Sequence, residues 1–595
     1  MTSDITRKYK DRDIIKRLVL FAKPFYKGFI VGFILTLLLV VIDLIPPLMQ
    51  GQIVAFLTDE KLTNNQILLY CFLLIGSFVI LIIAQCFIYY HSSMLLQRLG
   101  QKIVFDIRTD IFWHIESLSI AQINEQPVGR LVTRVTSDTA TLNDFFSNVL
   151  VSFIRYVLTI VIVLIIMFVI SWQLTLMLLC VVPVLAIVTV IFRKKSRNAY
   201  REVRQNVSGV NSFLSENISG MKVTQIFNQE KKKYLEFKEK NEALKKSSLK
   251  EVLVFGVFQP TIYVLYVICE MIVIYFGVNL IMANKLKLNL FVSFYNFISS
   301  FFNPIQQLAE VFNQLQQTFA STEKILTVLD TKKVVLDREG ARDIDHFEGK
   351  IVFDHVWFAY NDENWILKDI SFTIMPKQTV AFVGATGAGK TTILALIVRN
   401  YDIQKGHIYI DDIDIMDIKI ESLRRHIGQM LQDVFMFSGS IETNITLRDK
   451  RFTRDDVIDA VKYVNADRFI ERLPDSYDHK VLERGANFSA GERQLISFAR
   501  TVITKPNIMI LDEATANIDT ETEVLIQESL EKMMNVGTML IVAHRLSTIQ
   551  HADKIIVLKK GQIMESGTHQ ELLKKKGLYY SLYEIQYKHM EHETN

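Results

Sequence analysis

The sequence predicts a chain in two parts: an all-α membrane domain of six helical spans with long helical extensions, then an α/β domain built on a largely parallel sheet. Two observations carry this. Long apolar runs are confined to residues 1–320, while residues 345–595 have the composition of an ordinary soluble domain. Residues 379–398, TVAFVGATGAGKTTILALIV, read as a strand, a glycine-rich loop and an apolar helix in immediate succession. At 595 residues the chain is also too long for one domain.

A bilayer core takes about 20 mostly apolar residues per helix. Six stretches meet that need, at 27–49, 67–91, 147–170, 172–192, 257–283 and 286–308, the last two rich in aromatic residues. The gaps 92–146 and 193–256 keep a helical period with little Gly or Pro. They read as helices that leave the membrane on one side. Lys and Arg crowd the segment before the first span (Arg7, Lys8, Lys10, Arg12, Lys16, Arg17, Lys23), and the second gap opens on RKKSR and carries KKK at 231–233. Connections on the other side are short. The positive-inside bias then puts both termini and both long gaps in the cytoplasm. Within residues 1–26, KDRDIIKRLVLFAKP (10–24) alternates basic and apolar residues at helical spacing, the pattern of an amphipathic helix lying on the inner membrane surface.

Two carboxylates fall inside spans, where charge is expensive and usually faces a cavity or a partner helix. Asp43 lies near the outer end of the first span, within reach of the interface. Glu270 lies mid-span and is a candidate for the substrate cavity or for an inter-helix hydrogen bond. FFNPIQQL (301–308) puts a proline and three amides in the last span, either to kink it or to mark where it leaves the bilayer. Cys71, Cys86, Cys180 and Cys269 all sit in apolar segments with no CxxC, so neither a disulfide nor a metal is implied. A net charge of +4 over this length gives no reason to expect nucleic acid as a partner.

Residues 321–345 read as a charged linker, and 346–595 as the second domain, opening on the alternating strand GKIVFDHVWFAY. Residues 384–391 match G-x-x-x-x-G-K-[ST] in its strand–loop–helix setting. In a loop of this kind Gly384, Gly387 and Gly389, with Ala385, Thr386 and Ala388 between them, wrap backbone around phosphates. The following helix turns its first N–H groups towards anionic oxygen. Lys390 reaches the β- and γ-phosphates, Thr391 ligates Mg²⁺, and Thr392 follows on the helix. ATP and Mg²⁺ are the implied cofactors. IMILDEAT (508–515) is a buried strand ending in two carboxylates. Asp512 suits a water-mediated Mg²⁺ contact, and Glu513 is placed to polarise the attacking water. MLIVAHR (539–545) is another apolar strand, ending at His544, within reach of the γ-phosphate. Three strand ends thus carry polar groups, at the edge where open α/β sheets bind ligands.

With these motifs in hand, the chain resembles an ATP-binding cassette (ABC) exporter half-transporter over almost its whole length. The resemblance implies a multi-pass bacterial plasma-membrane protein that exports hydrophobic or amphipathic molecules, drug-like, lipid or peptide. It also implies further roles. Tyr360 matches the aromatic that stacks on adenine. Gln432 matches the residue that senses Mg²⁺ and the attacking water. Phe488, Ser489, Ala490, Gly491 and Glu492 stand where the family has its signature, usually L-S-G-G-Q. Asp519, in ANID, matches the carboxylate of a loop crossing the dimer interface, and ERG (483–485) a segment preceding the signature. Two coupling helices are expected near 121–126 and 223–228.

In this family ATP lies between one domain's phosphate loop and the other's signature, so a second half-transporter is required. Here the signature departs twice from the usual pattern. Ala490 adds a Cβ where backbone should approach phosphate, and Glu492 brings a carboxylate towards the triphosphate. At about 5 Å and an effective dielectric of about 20, one such like-charge pair costs about 3 kcal/mol before screening. An intact Glu513 beside a weakened signature resembles one subunit of heterodimeric bacterial multidrug exporters. A heterodimer with one competent site is therefore expected ahead of a homodimer. A non-pumping ATP-gated channel or regulatory subunit is the alternative of a different class.

Overall fold

The computed structural model describes residues 9–361, 364–512, 520–534, 536–542 and 549–593. It divides into two compact units, one made of Met1–His114 with Gly129–Thr331, the other of Ile115–Val128 with Lys332–Asn595.

The first unit is helical. Its elements are α1 (Asp11–Ala22), α2 (Tyr26–Asp43), α3 (Ile45–Leu57) and α4 (Asn64–Glu116), then, past a short helix α5 (Ile120–Asn124), α6 (Val128–Thr133), α7 (Thr139–Asp144), α8 (Leu150–Ile170), α9 (Trp172–Ser219), α10 (Met221–Ile226), α11 (Glu230–Met282) and α12 (Leu288–Leu329). Each of the six expected spans lies in this set. The first is divided between α2 and α3, because Pro46 and Pro47 occupy the opening turn of α3, where a missing N–H is not needed. At 1.5 Å per residue the 53 residues of α4 and of α11 each extend about 80 Å, far beyond a core of about 30 Å. The stretches between spans are therefore helical continuations. By length and composition, Asp11–Leu57, Asn64–Glu116, Val128–Ile170 and Glu230–Met282 qualify as membrane spans among the described residues.

Buried side chains show what holds this unit. Val40, Val163, Met167, Leu174, Cys269, Val273, Phe294, Phe297, Phe301 and Phe302 form one apolar core drawn from α2, α8, α9, α11 and α12. On α1, Ile14 and Leu18 are buried while Ile15, Val19 and Leu20 are exposed. A helix with one apolar face packed and another open fits an interfacial position. Past the spans, α9 and α11 are tied by Asn206 Nδ2 donating to Ser247 Oγ at 3.0 Å and by a Lys250–Glu202 ion pair at 2.6 Å. Two π-helical turns, at Arg134–Asp138 and Phe145–Val149, flank α7. The first buries Asp138 against Arg134 at 2.6 Å and accepts a bond from Ser321 on α12 at 2.9 Å.

One expectation needs correction here. The segment read as linker begins in helix: α12 runs through Pro304 to Leu329, nine residues into it. The remainder of that segment is not a loose tether either. Arg342 N donates to Asp417 O and Lys419 N to Arg342 O, at 2.8 and 2.9 Å, and Asp337 Oδ1 accepts from Ile420 N.

The second unit is an α/β domain. Five parallel strands, β3 (Thr379–Val383), β6 (Ile427–Met430), β9 (Ile508–Asp512), β10 (Thr538–Val542) and β11 (Lys554–Lys559), lie in a sheet of order β12-β11-β3-β10-β9-β6, with β12 (Gln562–Gly567) antiparallel at its edge. A second, antiparallel sheet has the order β2-β1-β4-β5, from β1 (Ile351–Ala359), β2 (Trp365–Ile374), β4 (Lys405–Ile410) and β5 (Ile413–Asp414), and β7 (Gly439–Ser440) pairs with β8 (Lys480–Val481) in a short antiparallel ladder. The central strands read as unbroken apolar runs because both faces of the sheet are covered. Their period of two then separates two cores. Val380, Phe382, Ile508, Ile510, Leu540 and Val542 point into one, while Ala381, Val383, Met509, Leu511, Met539 and Ile541 point into the other.

At one end of the first core lies Arg399, wholly buried and in the left-handed region at φ 53°. Its guanidinium donates to Leu336 O at 2.7 Å, to Asp402 Oδ1 at 3.1 Å and to the carbonyls of Ile415 and Ile418. One side chain thus joins the incoming chain segment, the end of the helix following the phosphate-type loop, and the second sheet.

Candidate nucleotide site

Register places the site. Val542 pairs with Asp512 and with Phe382, and Met430 with Leu511, so β3, β6, β9 and β10 end at one level. The loop 384–389 leaves β3 there and leads into α13 (Lys390–Ile397). Gly384 has φ 156°, and a Cβ on it would come within 2.3 Å of Leu558 O; Gly389 has φ 105°, and its Cβ would meet Leu367 Cδ2 at 2.6 Å. Both positions exclude a side chain by backbone strain and by space. Gly387, at φ 79°, has no atom within 4 Å of where a Cβ would stand. Ala385 and Thr386 are exposed on this loop, and Ala388 is buried under it, its carbonyl accepting from Gly561 N.

Lys390 is almost fully buried, and its Nζ donates to Gly384 O at 2.7 Å and to Ala385 O at 3.3 Å. The ammonium is therefore held over the loop. Burial lowers its pKa, and the nearby Asp512 carboxylate acts in the opposite direction. Thr391 is exposed at the start of α13, and Thr392 is buried with its hydroxyl 3.1 Å from that of Tyr360. Tyr360 follows β1, about half exposed, its ring edge-on to Phe358 and to Tyr401 with centroids 5.0 Å apart in each case. Gln432 is exposed two residues beyond β6. The chain thus brings together Tyr360, the loop 384–389, Lys390, Thr391, Thr392 and Asp512, while Gln432 follows β6, whose end lies level with that of β9. Glu513, Asp519 and His544 lie outside the described residues; Asp512 and Val542 end the strands that lead to them.

A glycine loop, a lysine folded over it, and a helix N-terminus behind it fit a triphosphate. The hydroxyl of Thr391, the Gln432 amide and the Asp512 carboxylate are oxygen donors of the kind Mg²⁺ takes.

The signature segment is built separately. α14 (Ala490–Val502) begins after Ser489, whose hydroxyl accepts from Glu492 N at 3.2 Å, while Ser489 N donates to Glu492 Oε2 at 2.7 Å. This is a reciprocal capping box. It revises the expected part of Glu492: the carboxylate is folded onto its own helix end. Phe488 and Gly491 are buried, and Ala490 is exposed in the first turn. Arg493 Nη1 braces the approach by donating to Phe488 O at 2.7 Å. Arg484, in ERG, adopts φ 57°.

Three contributors were not apparent from sequence. Tyr401 packs on Tyr360 and receives a long bond, 3.5 Å, from Asn124 Nδ2 of α5. Gln122 of α5 donates to Lys332 O at 2.7 Å, so this short helix, two residues or fewer from its expected bounds, belongs with the nucleotide unit. Arg155 of α8 pairs with Asp43 at 2.6 Å, and Gln85 donates to the same carboxylate at 2.5 Å. Asp43 is thereby part of an ion pair between spans instead of reaching for the interface. An arginine inside an apolar run was the available signal. Where the second coupling helix was expected, near 223–228, the chain forms α10, with Val223 and Ile226 exposed on it.

Comparison with known proteins agrees with this anatomy. Residues 29–305 match the ABC transporter transmembrane region, and 367–516 match the ABC transporter family model. The chain is 38% identical to the putative ABC transporter ATP-binding protein exp8 of Streptococcus pneumoniae, over 97% of this chain and 98% of that protein. It is 34% identical to the probable multidrug resistance ABC transporter ATP-binding/permease protein YheH of Bacillus subtilis, over 89% of this chain and 80% of that one. Its fold resembles that of a bacterial Atm1-family ABC exporter with ATP bound, with a TM-score of 0.80 at 24% identity, covering 94% and 98% of the two chains.

Proposed function

The chain belongs to the ABC transporter family, as an exporter that couples ATP hydrolysis to transport, and from that premise we propose that it is one half of an asymmetric dimer exporting amphipathic molecules from a bacterial cytoplasm or inner leaflet. The partner is a second half-transporter of different sequence, with both chains' termini cytoplasmic. This chain supplies Tyr360, Lys390, Thr391, Gln432, Asp512, Glu513 and His544 to the competent site, which the partner's signature closes. Mg²⁺, held by Thr391, Gln432 and Asp512, would offset the negative charge of the triphosphate. Lys390 binds the β- and γ-phosphates, Glu513 accepts the proton of the attacking water, and His544 holds the γ-phosphate. Closure of the nucleotide domains on ATP reaches the spans through the cytoplasmic helices and opens the cavity outward, and hydrolysis resets it.

The observation that carries the asymmetry is Glu492. A helix N-terminus favours anions by its unpaired N–H groups and its dipole. In α14 one of those groups, Ser489 N, is already bonded to a carboxylate, which also brings a negative charge. Glutamine at 492 would keep the capping bond through its carbonyl oxygen and remove the charge. Glu492→Gln is therefore expected to tighten ATP binding at the site this signature closes by roughly 3- to 10-fold, the effect of about 1 kcal/mol at a helix end. Nucleotide titration of the dimer reads this out, and an unchanged affinity would remove the electrostatic basis of the asymmetry. The pairing itself is tested by purifying this chain alone. Low ATPase activity without a stable dimer is expected, and a stable homodimer with brisk turnover would sink the heterodimer reading.

A further inference from the structure

Charge within a bilayer needs a partner, and the two span carboxylates of this chain meet that need differently. Asp43 has Arg155. Glu270, in the middle of the apolar part of α11, accepts from the Tyr266 hydroxyl one turn earlier. Among the described residues the ion pairs of this unit all join other side chains. Tyrosine hydroxyls fill the lone pairs of a carboxylate but carry no positive charge. The Tyr266 hydroxyl therefore holds Glu270 in position, and among the described residues no ion pair offsets its charge.

The surroundings are aromatic. Tyr266 lies edge-on to Phe302 at 5.7 Å, and Tyr263, 65% exposed, is 6.3 Å from Tyr266. Aromatic faces attract cations, more strongly where water is scarce. No group of metal-ligating side chains occurs among the described residues, and one carboxylate with tyrosines is too few oxygens for Ca²⁺. An organic cation with an apolar body matches both the charge and the walls.

We infer that Glu270, with Tyr263 and Tyr266, is the recognition point for a cationic amphipathic substrate. This rests on the export reading and narrows it to a substrate class. Glu270 supplies the counter-charge, the Tyr266 hydroxyl holds the carboxylate in place, and the exposed Tyr263 ring faces the cation's apolar groups. The Asp43–Arg155 pair, already neutral overall, takes no part.

The test uses the full-length dimer in lipid nanodiscs without nucleotide. Binding is measured for tetraphenylphosphonium, a permanent cation, and for triphenylphosphine oxide, a neutral molecule of similar shape. Glu270→Gln is expected to weaken tetraphenylphosphonium binding about 10-fold or more and the oxide less than about 2-fold. Glu270→Asp, which keeps the charge, is expected to stay within about 3-fold of wild type for the cation. Equal cation affinity in wild type and Glu270→Gln overturns the inference, and so does a parallel loss of both ligands, which marks a structural role. ATP-dependent uptake into inverted vesicles is scored separately. Charge-dependent binding without uptake refutes the export reading while leaving the cation site standing.

Discussion

Glu513→Gln is expected to leave ATP binding intact and to lower hydrolysis by about 100- to 10,000-fold, the usual contribution of a positioned general base. Glutamine has the size of glutamate and can still hold a water by a hydrogen bond, but it cannot take the water's proton at neutral pH. The substitution lies just beyond Asp512, where β9 ends level with β10 and β3, and it leaves Lys390 and the glycine loop untouched. Binding by a fluorescent ATP analogue and steady-state phosphate release separate the two effects. In the proposed asymmetric dimer this single change should remove nearly all turnover, because the other site is proposed to contribute little. A variant that hydrolyses ATP at the normal rate would falsify the assignment of Glu513. A variant retaining about half the activity would instead point to a second competent site carried by a partner chain of different sequence.

Arg399→Leu is expected to destabilise the nucleotide domain by about 3–5 kcal/mol, the cost of removing one member of a buried charged network. Leucine fills part of the volume. It leaves the carbonyls of Leu336, Ile415 and Ile418 without their donor and the Asp402 carboxylate without its cation. For a domain of this size the thermal transition should fall by roughly 10 °C. Differential scanning fluorimetry of the full-length protein measures it, with ATP added to identify the nucleotide domain's transition by its shift. Lysine at 399 should recover only part of the loss, because an ammonium cannot present donors in the planar fork of a guanidinium. A fall of less than about 2 °C would mean that the local carbonyls find water or relax.

Legibility differed between the two halves for physical reasons. The spans were readable because a bilayer demands long apolar segments, and the two gaps because a helix with no breaker simply continues. The boundary at 320 was misplaced because nothing in the sequence there interrupts a helix; α12 ends only at Leu329. Pro304 lies inside α12 without ending it, since a proline inside a long helix costs hydrogen bonds that neighbouring packing can offset. In the nucleotide domain the loop 384–391 was legible residue by residue, because wrapping phosphate with backbone requires glycines at fixed spacing. Tyr401 was not legible, since an aromatic beside another becomes a site residue only through the packing of β1 against the helix after the loop. Arg399 was hidden as well. A lone arginine after an apolar helix ordinarily faces solvent, and here the chain closes over it.

The sequence alone was enough for the class of the protein and for the glycine loop with its lysine: local patterns of glycine and lysine act over a few residues and leave few alternatives. Only the tertiary structure could decide how each charge is compensated. It gave Asp43 an arginine from another span, gave Glu270 the Tyr266 hydroxyl and, among the described residues, no ion pair, and turned the carboxylate of Glu492 back onto its own helix. A charge interacts with whatever the fold brings within a few ångströms, and spacing along the chain does not specify those neighbours.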